Sequence, residues 1–257
     1  MFYDGVSYAE LETIFKLNYE TLKNLAEELK LERRNNNRIN KRILSNYFST
    51  IDHPNKAYWL GLLFTDGSVD KDENSNRQGR IRLQLQETDL EILEKFKEDL
   101  CLDCQIHYDK RSNSTCCSVE FVDDQIYNDL NNFGIVPNKT YECKHIPFEK
   151  IPQEYLIDFI RGLYDGDGGL TYSKDYLDVT LNFTSYYEST VQDFQMLIDN
   201  LIHKTEHNKN FFTSCWHTQW RGRQQVLNIL HYLYKNGDCR KLARKYIKYV
   251  DLMNSVE

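Results

Sequence analysis

Proline and glycine are scarce in this sequence, at 4 and 11 of 257 residues. That excludes a collagen-like or linker-dominated chain. A run of about 18 or more apolar residues is also missing, so no membrane-spanning helix is expected. The opening MFYDGVSYAE has no basic stretch leading into an apolar one, so no secretory signal is expected. The seven cysteines are an odd number, scattered from Cys101 to Cys239. Without a secretory signal they read as reduced thiols in an intracellular compartment. Cys101-Leu-Asp-Cys104 is followed by no second pair at zinc spacing, and these two are expected to be core thiols. Positive charge is short overall, with a net charge of −7 and a pI near 5.6. Taken as an average, this argues against a nucleic-acid partner, because phosphates call for a positive surface.

What is present changes that reading. Hydrophobic residues make up 40% and charged residues 28%, enough for a sizeable core in one large domain or two smaller ones. The charge is unevenly spread. Residues 28–45 carry Lys30, Arg33, Arg34, Arg38, Lys41 and Arg42 against Glu28 and Glu32. Residues 220–250 carry Arg221, Arg223, Lys235, Arg240, Lys241, Arg244, Lys245 and Lys248 against Asp238. An acidic protein can therefore still present a basic face.

The first 45 residues predict two short helices and a basic arm. SYAELETIF places Leu11, Ile14 and Phe15 on one side. After Lys16-Leu17, Asn18 is a fitting N-cap for YETLKNLAEELK, with Leu22, Leu25, Ala26 and Leu29 on one face. Two such helices around a short turn resemble a helix-turn-helix, with Lys16 where glycine is common in the turn. The segment RRNNNRINKR then reads as a linker or an arm along DNA.

From about residue 54 the chain reads as a duplication. KAYWLGLLFTDGS and IPQEYLIDFIRGLYDGDGG are apolar helices that end in Asp66-Gly67 and Asp167-Gly168. RIRLQLQ (80–86) is matched by YLDVTLNFTS (176–185). DLEILEKFKEDL is matched by YYESTVQDFQMLIDNLI, two short strands follow in each copy, and a last helix closes it. Each copy reads αββαββα. The fold class is therefore α+β, with residues 1–45 as a helical segment, 46–150 as a first repeat and 151–257 as a second.

The paired Asp-Gly helix ends carry the chemistry. Gly61 and Gly162 each stand five residues before the aspartate. Glycine inside a helix costs about 1 kcal/mol relative to alanine, and close approach of a neighbouring backbone is the usual reason for it. Two such helices packed Gly61 against Gly162 would bring Asp66 and Asp167 together at their C-termini. Two carboxylates there repel each other and oppose the helix dipole, a conflict that a hard divalent cation resolves.

WLGLLFTDG (59–67) and IRGLYDGDG (160–168) resemble the two motifs of the monomeric LAGLIDADG homing endonucleases. GIVPNKT (134–140) and LYKNGDCRKLARK (233–245) resemble the segments that close the two repeats. The helix-turn-helix, the basic segment and KAYWLG together are similar to the stand-alone phage or bacterial branch of that family. The resemblance implies a monomer that cuts double-stranded DNA at a specific site, inside a bacterial or phage-infected host cell, with no membrane partner. It implies Mg²⁺, or Mn²⁺ or Ca²⁺ in its place, held by Asp66 and Asp167 with the carbonyls of Thr65 and Gly166. It points to Lys139 and Lys245 as the basic residues beside the scissile phosphates. In motif 1, Phe64 stands where motif 2 keeps Asp165, at a position that is mainly structural in the family. With no Cys or Ser at the start and no terminal His-Asn pair, the resemblance is not expected to extend to a self-splicing intein.

Recognition falls to the strands, expected to form curved antiparallel sheets against DNA. With Ile81, Leu83 and Leu85 turned to the core, Arg80, Arg82, Gln84 and Gln86 face outward. Arginine and glutamine are suited to guanine and adenine edges. Asp178, Thr180, Asn182 and Thr184 take that face in the second copy, extended by Cys215, His217, Gln219 and Arg221. Arg33, Arg34, Arg38, Lys41 and Arg42 would follow phosphates. The alternatives are a protein of the same fold that binds without cutting, either a DNA-binding regulator or an intron maturase-like RNA cofactor, and a protein-interaction adaptor.

Overall fold

The computed structural model of the protein describes residues 15–28, 43–72, 77–110, 115–142, 144–203, 205–235, 237 and 239–255. The chain divides into two compact units, Met1–Asn40 and Lys41–Glu257. In the first, α1 spans Tyr19–Glu28. Asn18 caps it as expected: its Oδ1 accepts from the Thr21 amide at 2.9 Å and from Thr21 Oγ1 at 2.8 Å. Lys16 sits at φ +52°, the left-handed conformation that favours glycine. The expected first helix up to Ile14 and the basic residues Arg33, Arg34, Arg38, Lys41 and Arg42 lie outside the described residues.

The second unit contains both repeats. The first runs α2 (Pro54–Asp66), β1 (Gly67–Asp70), β2 (Arg80–Gln86), α3 (Leu90–Asp99), β3 (His107–Lys110), β4 (Thr115–Val122) and α4 (Asp124–Asn132), then a short α5 (Lys139–Glu142). The second runs α6 (Leu156–Asp167), β5 (Gly168–Tyr172), β6 (Val179–Ser185), α7 (Glu188–Ile202), β7 (Phe211–Phe212), β8 (Trp216–Arg221) and α8 (Arg223–Tyr234), then α9 (Ala243–Asn254). The order αββαββα appears twice, and each copy gains a further helix, α5 or α9, in its closing segment. Each sheet has four antiparallel strands, in the orders β1-β2-β4-β3 and β5-β6-β8-β7.

Alternation sets the faces of the sheets. Ile81, Leu83 and Leu85 are buried, as are Val179, Leu181 and Phe183 of β6. Two expectations need correction. Asp178 is not a strand residue: the chain turns between Ser173 and Asp178, with Tyr176 at φ +55° and the Ser173 amide bonded to the Asp178 carbonyl at 3.0 Å. Cys101 is not a core thiol either; it is exposed just beyond α3 at φ +54°, and Cys104 is half-buried. Among the described residues the cysteines are free thiols, and no helix is long and apolar enough to cross a membrane.

Candidate active site

Two central helices position the site. His53 caps α2, its Nδ1 accepting from the Asn55 amide at 3.2 Å, and Pro54 starts the helix. Residues 57–64 are buried on every side of the helix, which suits a helix inside the molecule rather than on its surface. Its buried partner is α6. A Cβ built on Gly61 would overlap the Phe159 carbonyl oxygen and come 2.9 Å from the Leu163 amide nitrogen. A Cβ on Gly162 would overlap the Tyr58 carbonyl oxygen and come 2.8 Å from the Leu62 amide nitrogen. The contacts are reciprocal, as across a twofold axis, and they require glycine because backbone atoms fill the space.

The same packing brings the helix ends together. A Cβ on Gly166 would strike the Thr65 side chain and stand 2.9 Å from Asp66 Oδ2. Gly67 and Gly168 follow the aspartates in extended conformation, at φ −80° and −85°. They are therefore not left-handed helix caps. A Cβ there would collide with Leu63 or with Tyr164, so glycine lets β1 and β5 leave close against their own helices.

Charge at this junction is strained. Burial, and Asp167 beside it, push the Asp66 carboxyl up to about 7. Asp167 is exposed as a whole residue, yet crowding around its carboxyl raises its pKa against the pull of Lys139 and then Lys245. For Asp66 that order is reversed, with Lys245 ahead of Lys139. Lys139 Nζ donates to the Thr65 carbonyl at 2.7 Å. Lys245, 4% exposed, donates to the carbonyls of Tyr164 at 2.7 Å and Gly168 at 2.5 Å, and to Gly166 at 3.4 Å. Burial lowers its ammonium to about 8, opposed first by the charge of Asp165. The expected site residues Asp66, Asp167, Thr65, Gly166, Lys139 and Lys245 thus converge. A cavity of about 350 Å³ opens beside them, lined by Thr65, Lys139, Asp167, Thr184, Tyr186 and Cys215 among others.

The donor set suits a hard divalent cation. It offers two carboxylates in mutual repulsion and carbonyl oxygens at both helix ends. Among the described residues no group of three or more His, Cys, Asp or Glu forms a closed cage. Mg²⁺ commonly uses one or two carboxylates and keeps waters for the rest of its shell.

Asp165 is the partner this site needs from behind. Its Oδ2 accepts from Tyr58 OH at 2.9 Å and from the Leu242 amide at 2.8 Å, and its Oδ1 from Tyr234 OH at 2.8 Å. It ties α6 to α2, to α8 and to the segment that carries Lys245. Sequence reading does not anticipate two further ties, Asp99 with Arg240 and Asp89 with Arg244. They join residues far apart in the chain.

On the sheets, Arg82 pairs in register with Glu120 and Gln84 with Ser118. Arg82 Nε and Gln84 Nε2 are buried donors without a protein partner. Arg80 is engaged, 2.9 Å from Asp70 and 3.8 Å from Glu120, while Gln86 is exposed at the end of β2. In the second sheet Thr180, Asn182 and Thr184 lie opposite Arg221, Gln219 and His217 on one face. Asp178 stands apart in its turn.

Residues 154–247 match the sequence profile of the LAGLIDADG-like domain. No curated protein sequence matches the chain significantly. Among solved structures, a lysine-to-alanine variant of I-SmaMI is 12% identical, with 79% of this chain and 91% of that one covered at a TM-score of 0.52. I-SmaMI bound to an uncleaved DNA target in the presence of calcium ions is also 12% identical, covering 79% of this chain and 90% of that one at 0.50. The I-LtrWI LAGLIDADG homing endonuclease bound to target DNA is 12% identical over 82% of this chain and 91% of that one, at 0.48. Residues 154–247 are thus similar to the LAGLIDADG-like domain, and over most of its length the chain shares the fold of I-SmaMI.

Proposed function

We propose that this protein is a site-specific, metal-dependent endonuclease of double-stranded DNA, of the homing type and acting as a monomer inside the cell. The observation that carries the reading is the convergence of Asp66 and Asp167 through the Gly61–Gly162 contact. The sequence keeps a pair of carboxylates in repulsion at one point, an arrangement that a pure binder has no use for. Solved proteins of this fold include I-SmaMI on DNA with calcium ions, which is consistent with Mg²⁺ or a substitute such as Mn²⁺ or Ca²⁺ here.

A divalent cation at this junction would supply a water of lowered pKa and stabilise the departing 3′ oxygen. Asp66 and Asp167 would hold it in their ionised form, with the Thr65 and Gly166 carbonyls beside them. Lys139 and Lys245 would present positive charge to the phosphate as negative charge builds on its oxygens. The outward-facing side chains of Arg82 and Gln84, with Thr180, Asn182, Thr184, His217, Gln219 and Arg221, would meet base edges. Incubating the protein with a randomised duplex library in Mg²⁺ and sequencing the cut ends tests the reading; wild type should release double-strand breaks at one family of sites, and Asp66→Asn should release none. A non-cutting DNA-binding regulator of the same fold is the second reading, favoured by α1 with its Asn18 cap and the left-handed Lys16.

A further inference from the structure

Lys245 is held in place from the opposite repeat. The five residues before it carry two ion pairs to the two ends of α3. Arg240 forks onto Asp99, with Nη2 to Oδ1 at 2.7 Å and Nε to Oδ2 at 3.0 Å. Asp99 also accepts from Trp59 Nε1 at 2.7 Å and Asn55 Nδ2 at 3.2 Å. As the last residue of α3 it faces the negative end of the helix dipole, so these donors are what keep a carboxylate there. Arg244 Nε donates to both oxygens of Asp89, at 2.9 and 3.1 Å. The Asp89 side chain is 1% exposed, whereas Arg244 is 42% exposed. Within the second repeat, Arg161 Nε donates to the Arg240 carbonyl at 2.8 Å, and the Leu242 amide donates to Asp165.

A lysine side chain loses rotamer entropy when it is fixed. Its ammonium occupies one place only if the backbone that bears it is also fixed. The residue just before Lys245 is Arg244, tied to the first repeat, and Arg240 lies four residues further back, ahead of the start of α9. Resting on the endonuclease reading for its functional readout, we propose that Asp89 and Asp99 are positioning residues that set Lys245 in the site from across the repeat boundary. The cation of one half-site is then assembled from both repeats, and a change on α3 should be felt at one DNA strand.

Two measurements test this. The first needs no DNA: the reactivity of the Lys245 amine toward reductive dimethylation, read by mass spectrometry on the folded protein. Wild type should protect Lys245, and Asp89→Asn, Asp99→Asn or the milder Arg244→Gln should raise its reactivity about tenfold, with other lysines unchanged. Equal reactivity in all variants would overturn the proposal, whatever the activity. The second uses a duplex that wild type cuts in Mg²⁺, labelled at either 5′ end. The variants should slow by about tenfold the strand that Lys245→Met also slows, leave the other strand within twofold and accumulate nicked DNA. Asp89→Arg combined with Arg244→Asp should restore it. Equal slowing of both strands, or slowing of the strand governed by Lys139, would show a general structural role instead. If wild type cuts no duplex while Lys245 reactivity still responds, the endonuclease reading fails and the positioning stands.

Discussion

Gly61 and Gly162 lie against each other, and a side chain on either would run into a backbone carbonyl, of Phe159 or of Tyr58. Backbone cannot swing aside as a side chain does. Alanine at either position should therefore force the two central helices apart and destabilise the protein by about 2–3 kcal/mol, at the upper range of overpacking. Urea unfolding of Gly61→Ala and Gly162→Ala measures it; unchanged midpoints would mean that the helices do not meet there.

Asp66→Asn and Asp167→Asn should each abolish double-strand cleavage while leaving DNA binding largely intact, because they remove metal ligands rather than phosphate contacts. They should also stabilise the metal-free protein at pH 8. Burial and the neighbouring carboxylate hold the Asp66 pKa near 7, above its ordinary value. Below about pH 4 the group is protonated whether folded or not, and no penalty exists. Between about 4 and 7 the unfolded chain gives up its proton first, so folded stability falls as pH rises. Melting curves of wild type at pH 5 and 8 should show this loss, and Asp66→Asn should flatten it. A wild-type melting temperature that climbs across the same window would contradict the strained-carboxylate picture.

The same shift governs metal affinity. The ligand is the ionised carboxylate, so Mg²⁺ or Ca²⁺ binding to the free protein should strengthen as pH rises through about 7 and release protons. Calorimetry in two buffers of different ionisation enthalpy reports both. Pairing that is independent of pH between 6 and 8 would remove Asp66 from the ligand set.

Much of this arrangement was legible in the sequence, and the reason is local. The alternation of Ile81, Leu83 and Leu85 and the spacing from Gly61 to Asp66 are short-range patterns with one physical solution. The turn at Ser173–Asp178 escaped because RIRLQLQ and YLDVTLNFTS look alike, while Tyr176 in a left-handed conformation leaves no mark on hydropathy. Helix α9 did leave one: Lys245, Tyr249 and Leu252 are buried at helical spacing. The Asp99–Arg240 and Asp89–Arg244 ties have no local signature at all, since only the folded chain brings their partners together.

The N-terminal unit should add grip on DNA. Its removal must stop at Asn40, because Leu44 bonds through its amide to the Leu100 carbonyl at 3.1 Å and Ser45 Oγ donates to Asp123 at 2.6 Å within the second unit. Without residues 1–40 the remainder should still fold and cut at high concentration, while the slope of log affinity against log salt becomes shallower by a few units, about one per lost phosphate contact. Identical slopes and identical footprints would assign that unit a role away from DNA.

The hydrogen bond from Tyr58 to Asp165 crosses between the repeats, and the two-fold likeness stops there. Opposite Asp165 the first repeat has Phe64, and opposite Tyr58 the second has Phe159. Two copies of the first half would bury a tyrosine hydroxyl against phenylalanine; two copies of the second would leave a carboxylate short of a donor. Both mismatches are costly in an interior. The duplicated gene has in this way acquired a lock and a key: cut into separate chains, the halves would choose each other over themselves, and a descendant that exchanged one half for another's would have to bring that single tyrosine or that single aspartate with it.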